Sequence, residues 1–401
     1  MEINKGLVKG SFVLLIAFGI VNFFHFTFQL VMARMLTLSE YGVLAPLSAI
    51  IVIFLIFNES IQTIITKYSS KEKEEGKLKN LLKKSFKRAL YFSSLFYISY
   101  LIICIPLSFV LHINYFLMAI TGLMIFVTFL TPIPRGIMQG KEKFKSLGIS
   151  MIFESSGKLI LGFIFVYFGF KVFGAIAGIV VSGFLGIIFS FLQLSHIMKS
   201  KEEKMETVGI YSYARSAFLI TSLVVIFYSL DVIMAKIIFA PEIAGAYAIA
   251  STLGKIIFWG TLPISKAMFP MSADNKENKT HSENILINAF GILSLGIFIA
   301  LIIFYLFPSF IIKIFSGKVV PEAIGVLFYV GIAFSIIAFA NLILLYKLSL
   351  GKIKGYKYLV SFILIEIILL WLFKGGIVQF SLAFITASAA FLWGAIMLID
   401  D

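Results

Sequence analysis

The stretch Asp231–Ala273, DVIMAKIIFAPEIAGAYAIASTLGKIIFWGTLPISKAMFPMSA, decides how the rest of the chain is read. It holds the end of one apolar segment, a short polar turn and a complete second apolar segment. That second segment carries Lys255 and Lys266. A charge at the bilayer centre costs about 2.5–3.5 kcal/mol on insertion scales, so such a lysine marks an aqueous cavity or a buried partner. The stretch also has an echo some 200 residues earlier, around Ala33.

Bulk composition agrees with a membrane setting. The chain is 60% hydrophobic and only 13% charged, with a mean hydropathy of +1.03. A soluble domain carries about 25% charged residues, so an ordinary soluble fold is excluded. The N-terminus, MEINKGLVKG, runs into an apolar segment too long for a signal-peptide core, and no cleavable signal is expected. The single cysteine, Cys104, lies in an apolar run and allows no internal disulfide. A net charge of +14 reads here as cytosolic lysines facing anionic lipid rather than as a nucleic-acid surface.

Twelve apolar spans are read at 8–33, 42–66, 88–111, 114–133, 147–168, 172–196, 210–235, 243–271, 285–307, 322–346, 356–373 and 377–398. They approach the roughly 20 residues that a membrane helix needs. None alternates as a barrel strand does, so the fold class is an all-α polytopic membrane protein. With both termini cytoplasmic, 25 of the 34 Lys and Arg residues fall on the inner side and 6 on the outer side. An odd number of spans would scramble this bias. Under that topology the sequon at Asn278 is cytoplasmic and reads as chance. The Ile-, Lys- and Phe-rich composition fits the plasma membrane of a prokaryote, and the working unit is read as a monomer.

The chain also reads as a duplication. MAR at 32–34 leading to Gly42 is repeated as MAK at 234–236 leading to Gly245. Pro106 has a counterpart in Pro308, and GKEKFK from Gly140 in GKIKGYK from Gly351. Ser150 and Glu154 then have rough counterparts in Ser361 and Glu366. Six spans per copy keep both copies in the same orientation, which is a parallel repeat with a site expected between the halves. The expected lobes are residues 1–200 and 201–401.

Within the spans, Ser251, Lys255, Trp259 and Lys266 share one helical stripe, suited to an anionic or sugar-bearing ligand. The bland reading for Lys266 is snorkelling to the nearby interface. Ser11, Asn22, His25 and Gln29 share a face of span 1, where His25 either titrates or bonds another helix. Glu59 in span 2 either neutralises Lys266 or binds a coupling cation. Asp231 either carries H+ or Na+ or pairs with Lys236. Glu154 and Lys158 have the favourable i, i+4 order for a self-neutralised pair, whereas Glu366 has no evident partner. Arg88, Arg135 and Arg215 read as anchors at the inner ends of spans. Gly174, Gly178, Gly183 and Gly186 form a helix-packing face rather than a phosphate loop. No Walker pattern, metal-ligand cluster or nucleophile–base set is evident, so no cofactor and no enzymatic activity are expected.

Three stretches carry a resemblance. ARMLTLSEYGVLAPLSAI from Ala33, PRGIMQGKEKF from Pro134 and DVIMAKIIFAPEIAGAYAIASTLGKI from Asp231 are similar to segments of the polysaccharide-biosynthesis, O-antigen-flippase-like members of the multidrug/oligosaccharidyl-lipid/polysaccharide exporter superfamily. The resemblance implies two six-helix lobes in a V, a central cavity lined by spans 1, 2, 7 and 8, and alternating access driven by an ion gradient or the membrane potential. It implies a polyprenyl- or dolichyl-(pyro)phosphate-linked glycan as substrate, with Lys255 and Lys266 placed for its phosphate and Arg34 at the outer mouth. Relatives often have fourteen spans, and the multidrug branch commonly has an acid in span 1, which this chain lacks. An ion-coupled drug exporter on the same fold is the alternative. A membrane sugar transferase would need an acidic cluster or a large outer loop, and neither is evident.

Overall fold

The computed structural model describes residues 5–205, 214–274, 279–351 and 355–397. Among these there is no strand. The first half holds α1 (Lys5–Met35), α2 (Leu38–Lys71), α3 (Glu75–Leu111), α4 (Tyr115–Gly122), α5 (Met124–Leu130), α6 (Pro132–Gly140), α7 (Phe144–Phe165), α8 (Lys171–Leu192) and α9 (Ser195–Lys199). The second holds α10 (Ala214–Ile238), α11 (Pro241–Asp274), α12 (Lys279–Leu306), α13 (Pro308–Ser316), α14 (Pro321–Ser349), α15 (Leu359–Leu372) and α16 (Ile377–Met397).

Helix dominates because a bilayer offers no partner to a free backbone amide. Ten stretches among the described residues are long and apolar enough to cross a membrane. One of them, Phe144–Leu192, supplies two passes. The π-helical turn Val166–Phe170 reverses the chain at Gly169, whose φ of 90° suits a residue without a Cβ. Tyr167, Phe168 and Phe170 are exposed at this turn. The eleventh pass is α15, only 14 residues long and preceded by a 3-10 turn at Tyr356–Tyr358. The fourth pass is assembled from α4, α5 and α6. Asn114 starts it by accepting the Phe116 amide at 2.9 Å, and Pro132, which cannot donate to the preceding turn, opens its last piece.

Both copies of the repeat break at the same register, Met35/Leu38 and Ile238/Pro241, and α2 and α11 are each 34 residues long. They differ at the matched prolines. Pro106 lies inside α3, whereas Pro308 opens a separate helix.

Contacts divide the chain into two compact units. One comprises the chain up to Leu36 together with Ile50–Arg215; the other comprises Thr37–Ala49 and the chain from Ser216 onward. In the first, α7 lies on α8 through glycines. A Cβ on Gly178 would sit 2.5 Å from the Gly162 amide nitrogen, and one on Gly162 would sit 2.7 Å from the Phe28 ring. Small residues here let two backbones approach without a hydrophobic driving force. In the second, α14 packs on α11 and α16, with Phe227 stacked on Phe391 at 4.4 Å. The repeat-matched glycines also meet in this unit. A Cβ on Gly42 would lie 2.8 Å from the Gly245 amide nitrogen, and one on Gly245 would lie 1.8 Å from the Leu38 carbonyl oxygen.

Candidate functional site

The second unit buries a charged cluster in its core. Asp231 on α10 is fully buried, and its Oδ1 lies 3.1 Å from Lys255 Nζ on α11. Ser251, one turn before Lys255, donates its hydroxyl to the other carboxylate oxygen of Asp231. The Lys255 ammonium also stands 5.5 Å above the Phe334 ring on α14. Lys255 is therefore not bathed in solvent: it is 8% exposed and paired. Asp231 takes Lys255 rather than Lys236 because α10 and α11 are antiparallel neighbours joined by a tight turn. Residues 24 apart along the chain then face each other.

Glu366 on α15 is buried in the same unit, and neither of its carboxylate oxygens has a hydrogen-bond partner among the described residues. Its rough repeat counterpart is bonded. Glu154 on α7 is bound by Arg135, whose Nη2 donates to Oε2 at 2.7 Å. Arg135 Nε also donates to the Ser150 hydroxyl at 3.1 Å, and that hydroxyl lies 2.6 Å from Ser190 on α8. In the register that matches Gly140 to Gly351, the position of Arg135 is occupied by Tyr346. In that register Glu154 falls on Ile365, one residue before Glu366.

Two sequence expectations are corrected here. Glu154 does not pair with Lys158, because the guanidinium of Arg135 offers a planar fork from the neighbouring helix. Arg135 is accordingly a buried cross-link and not an interfacial anchor. Lys158 instead reaches back to α1, with Nζ 3.3 Å from His25 Nδ1 and 4.5 Å from the Phe28 ring centroid. His25 thus serves as an interhelical hydrogen bonder.

The remaining expected residues are placed as follows. In the first unit, Asn22, Arg34 and Glu59 are exposed and Gln29 is half-buried. Glu59 lies one turn before Thr63, whose hydroxyl donates to its carbonyl at 2.8 Å. In the second unit, Lys266 is exposed and Trp259 is 39% exposed. Asn278 and the side chains of Ser11 and Arg215 lie outside the described residues. Of the expected set, Asp231, Ser251 and Lys255 are brought into direct contact. Glu366 is buried in the same unit, signalled in the sequence only by an acid in an apolar span. Among the described residues no group of three or more His, Cys, Asp or Glu is arranged to hold a metal ion.

The fold and sequence have known relatives. An uncharacterized membrane protein of Methanocaldococcus jannaschii is 26% identical over 397 residues, covering 92% of each chain. The inward-facing conformation of a multidrug resistance MATE family transporter of the MOP superfamily aligns with a TM-score of 0.76 at 13% identity, covering 94% of each chain. A MOP superfamily transporter from Pyrococcus furiosus aligns with a TM-score of 0.65 at 15% identity, over 98% of this chain and 96% of that one. Its structure is described as having a binding pocket of reverse polarity that suggests a different function. The fold is thus that of the MATE and MOP transporters, with the long apolar helices of a multi-pass membrane protein. The family described as Polysaccharide biosynthesis protein matches residues 7–276, more than half of the sequence, and the chain belongs to that family.

Proposed function

We propose that this transporter is a flippase. It moves oligosaccharide or polysaccharide precursors, carried on polyprenyl or dolichyl (pyro)phosphate, from the inner to the outer leaflet of a prokaryotic plasma membrane by alternating access. Family membership supports the glycan class. The observation that carries the reading is Lys255, a cation held inside an apolar helix by one exchangeable carboxylate. A phosphate competes for that ammonium through charge-assisted hydrogen bonds of the same kind. In the same unit, Lys266 adds an exposed cation and Trp259 offers a ring face to a sugar.

Asp231 and Glu59 are the acids proposed for an ion. A proton or Na+ on Asp231 releases Lys255, so cation and phosphate favour each other's binding at this site. Outward movement of an anionic headgroup also gains about 2.3 kcal/mol per charge per 100 mV from a potential that is negative inside. The multidrug alternative asks the same site to accept organic cations, which a lysine opposes. In proteoliposomes, a short-chain polyprenyl-phosphate sugar should be translocated while the same sugar on a neutral lipid is not. Equal rates for both, or selective efflux of small aromatic cations, would reject the flippase reading.

A further inference from the structure

We infer that the first unit carries its own binding site for the phosphodiester headgroup of a lipid, built on Lys158 of α7 and His25 of α1. It is separate from the Asp231–Lys255 cluster, and it rests on the flippase reading for what brings a headgroup to this depth. Lys158 is a cation without a counter-charge. Glu154, one helical turn before it, is bonded to Arg135 at 2.7 Å, so that pair is neutral by itself. Among the described residues Lys158 makes no ion pair with an acid. Its partners are His25 Nδ1 at 3.3 Å and the fully buried Phe28 ring at 4.5 Å from the centroid. An ammonium only donates, so Nδ1 accepts and the neutral His25 ring carries its hydrogen on Nε2. Arg135, Glu154, Lys158 and His25 together therefore hold one positive charge. A charge of that kind inside an apolar span marks a path or a ligand.

Depth and charge select the occupant. Lys158 lies at least ten residues from either end of the span read at 147–168, about 15 Å along a helix at 1.5 Å per residue. Its ammonium is held by His25 on the neighbouring helix, so it does not snorkel to an interface. A resting phospholipid keeps its headgroup at the interface; a headgroup at mid-span is one being carried across. One net positive charge is balanced by the single negative charge of a phosphodiester and overshot by a dianion. His25 is exposed, and its Nε2–H has no partner among the described residues, so it supplies a neutral donor beside the remaining ammonium hydrogens. Phe23 and Phe26, exposed on either side of His25 along α1, give apolar surface to the chain that a lipid brings and a soluble anion lacks.

Calorimetric titration of the purified full chain with a short-chain polyprenyl-phosphate sugar, beside thermal unfolding, tests this. Lys158→Met should weaken binding by about tenfold or more, the loss of one charge-assisted hydrogen bond. It should not lower the melting temperature, because it removes a charge that nothing in the unit balances. Lys158→Gln, polar and uncharged, makes the same comparison should the first variant fail to fold. His25→Phe, which keeps the charge and loses the neutral donor, should weaken binding by less. Unchanged affinity in the folded Lys158 variants would overturn the inference. Competition by millimolar inorganic phosphate would assign a soluble-anion site, and equal Lys158-dependent affinity for phosphatidylglycerol would assign a resting phospholipid; either would overturn the headgroup in transit. Translocation in proteoliposomes separates this site from the flippase reading. Transport by the wild type, with Lys158→Met unchanged in both assays, rejects this site alone. Lys158-dependent binding without transport by the wild type rejects the flippase reading and supports the site.

Discussion

Asp231→Ala strands Lys255. The ammonium, 8% exposed in the wild type, loses its one hydrogen-bonded carboxylate among the described residues and keeps the Phe334 ring at 5.5 Å. Removing one partner of a buried ion pair costs about 3–5 kcal/mol, because the other charge is left uncompensated. The surviving cation–π contact offsets on the order of 1 kcal/mol, and the Ser251 hydroxyl losing its acceptor adds about as much. For a unit of some 200 residues, each kcal/mol moves the melting temperature by roughly 2–4 °C, so Asp231→Ala should lower it by about 10 °C. Asp231→Asn/Lys255→Met, which replaces the pair by groups of similar size and no charge, should recover at least half of that loss. The assay is thermal unfolding of purified protein in one detergent, at low and high salt. Because the pair is buried, the differences should persist at high salt. Losses that simply add in the double variant, or that vanish in salt, would refute the pairing.

Three further outcomes are expected. Gly245→Ala places a methyl group against the Leu38 carbonyl; it should reduce the yield of folded protein, whereas Gly296→Ala, with open space around it, should not. Arg135→Ala removes the charged hydrogen bonds to Glu154 and Ser150, costing about 1.5–3 kcal/mol in unfolding experiments, and Glu154→Gln in the same background should restore part of it. Glu202, bonded by Lys83 and Asn80, has its carboxyl held below the ordinary range, first by the lysine and then by the amide. Its anchoring of segment 200–205 on α3 is therefore present above the ordinary glutamate value near pH ~4.3 and is lost as pH falls through the depressed one. Hydrogen exchange of that segment should stay slow at neutral pH and quicken only in stronger acid; quickening already at pH 6 would contradict this.

The spans, the repeat and the family were legible because each is written along the chain. Hydropathy over some 20 residues, lysine bias between spans, and matched breaks at Met35/Leu38 and Ile238/Pro241 need no tertiary information. The stripe of Ser251 and Lys255 was legible for the same reason, since one helix carries both. Pairing across helices was not. Glu154 has Lys158 at an ideal helical spacing, yet Arg135 arrives from the preceding pass with better geometry. Asp231 has Lys236 nearby in sequence, yet Lys255 meets it across the α10–α11 hairpin. The sequence marked Glu366 as an acid without a partner, and the unit buries it with no hydrogen-bond partner among the described residues. Helical periodicity identifies faces, and only packing decides which faces meet.

The central claim is that Lys255 meets the phosphate of a lipid-linked glycan after leaving Asp231. Because Lys255→Ala alone would strand Asp231, the informative comparison is between Asp231→Asn and Asp231→Asn/Lys255→Met, at equal folded protein in the same proteoliposomes. Translocation of a polyprenyl-phosphate sugar is the readout. The account predicts that Asp231→Asn, which keeps an unpaired Lys255, still binds and moves the lipid, and that the double variant falls to the protein-free background. Wild-type rates in the double variant would contradict it.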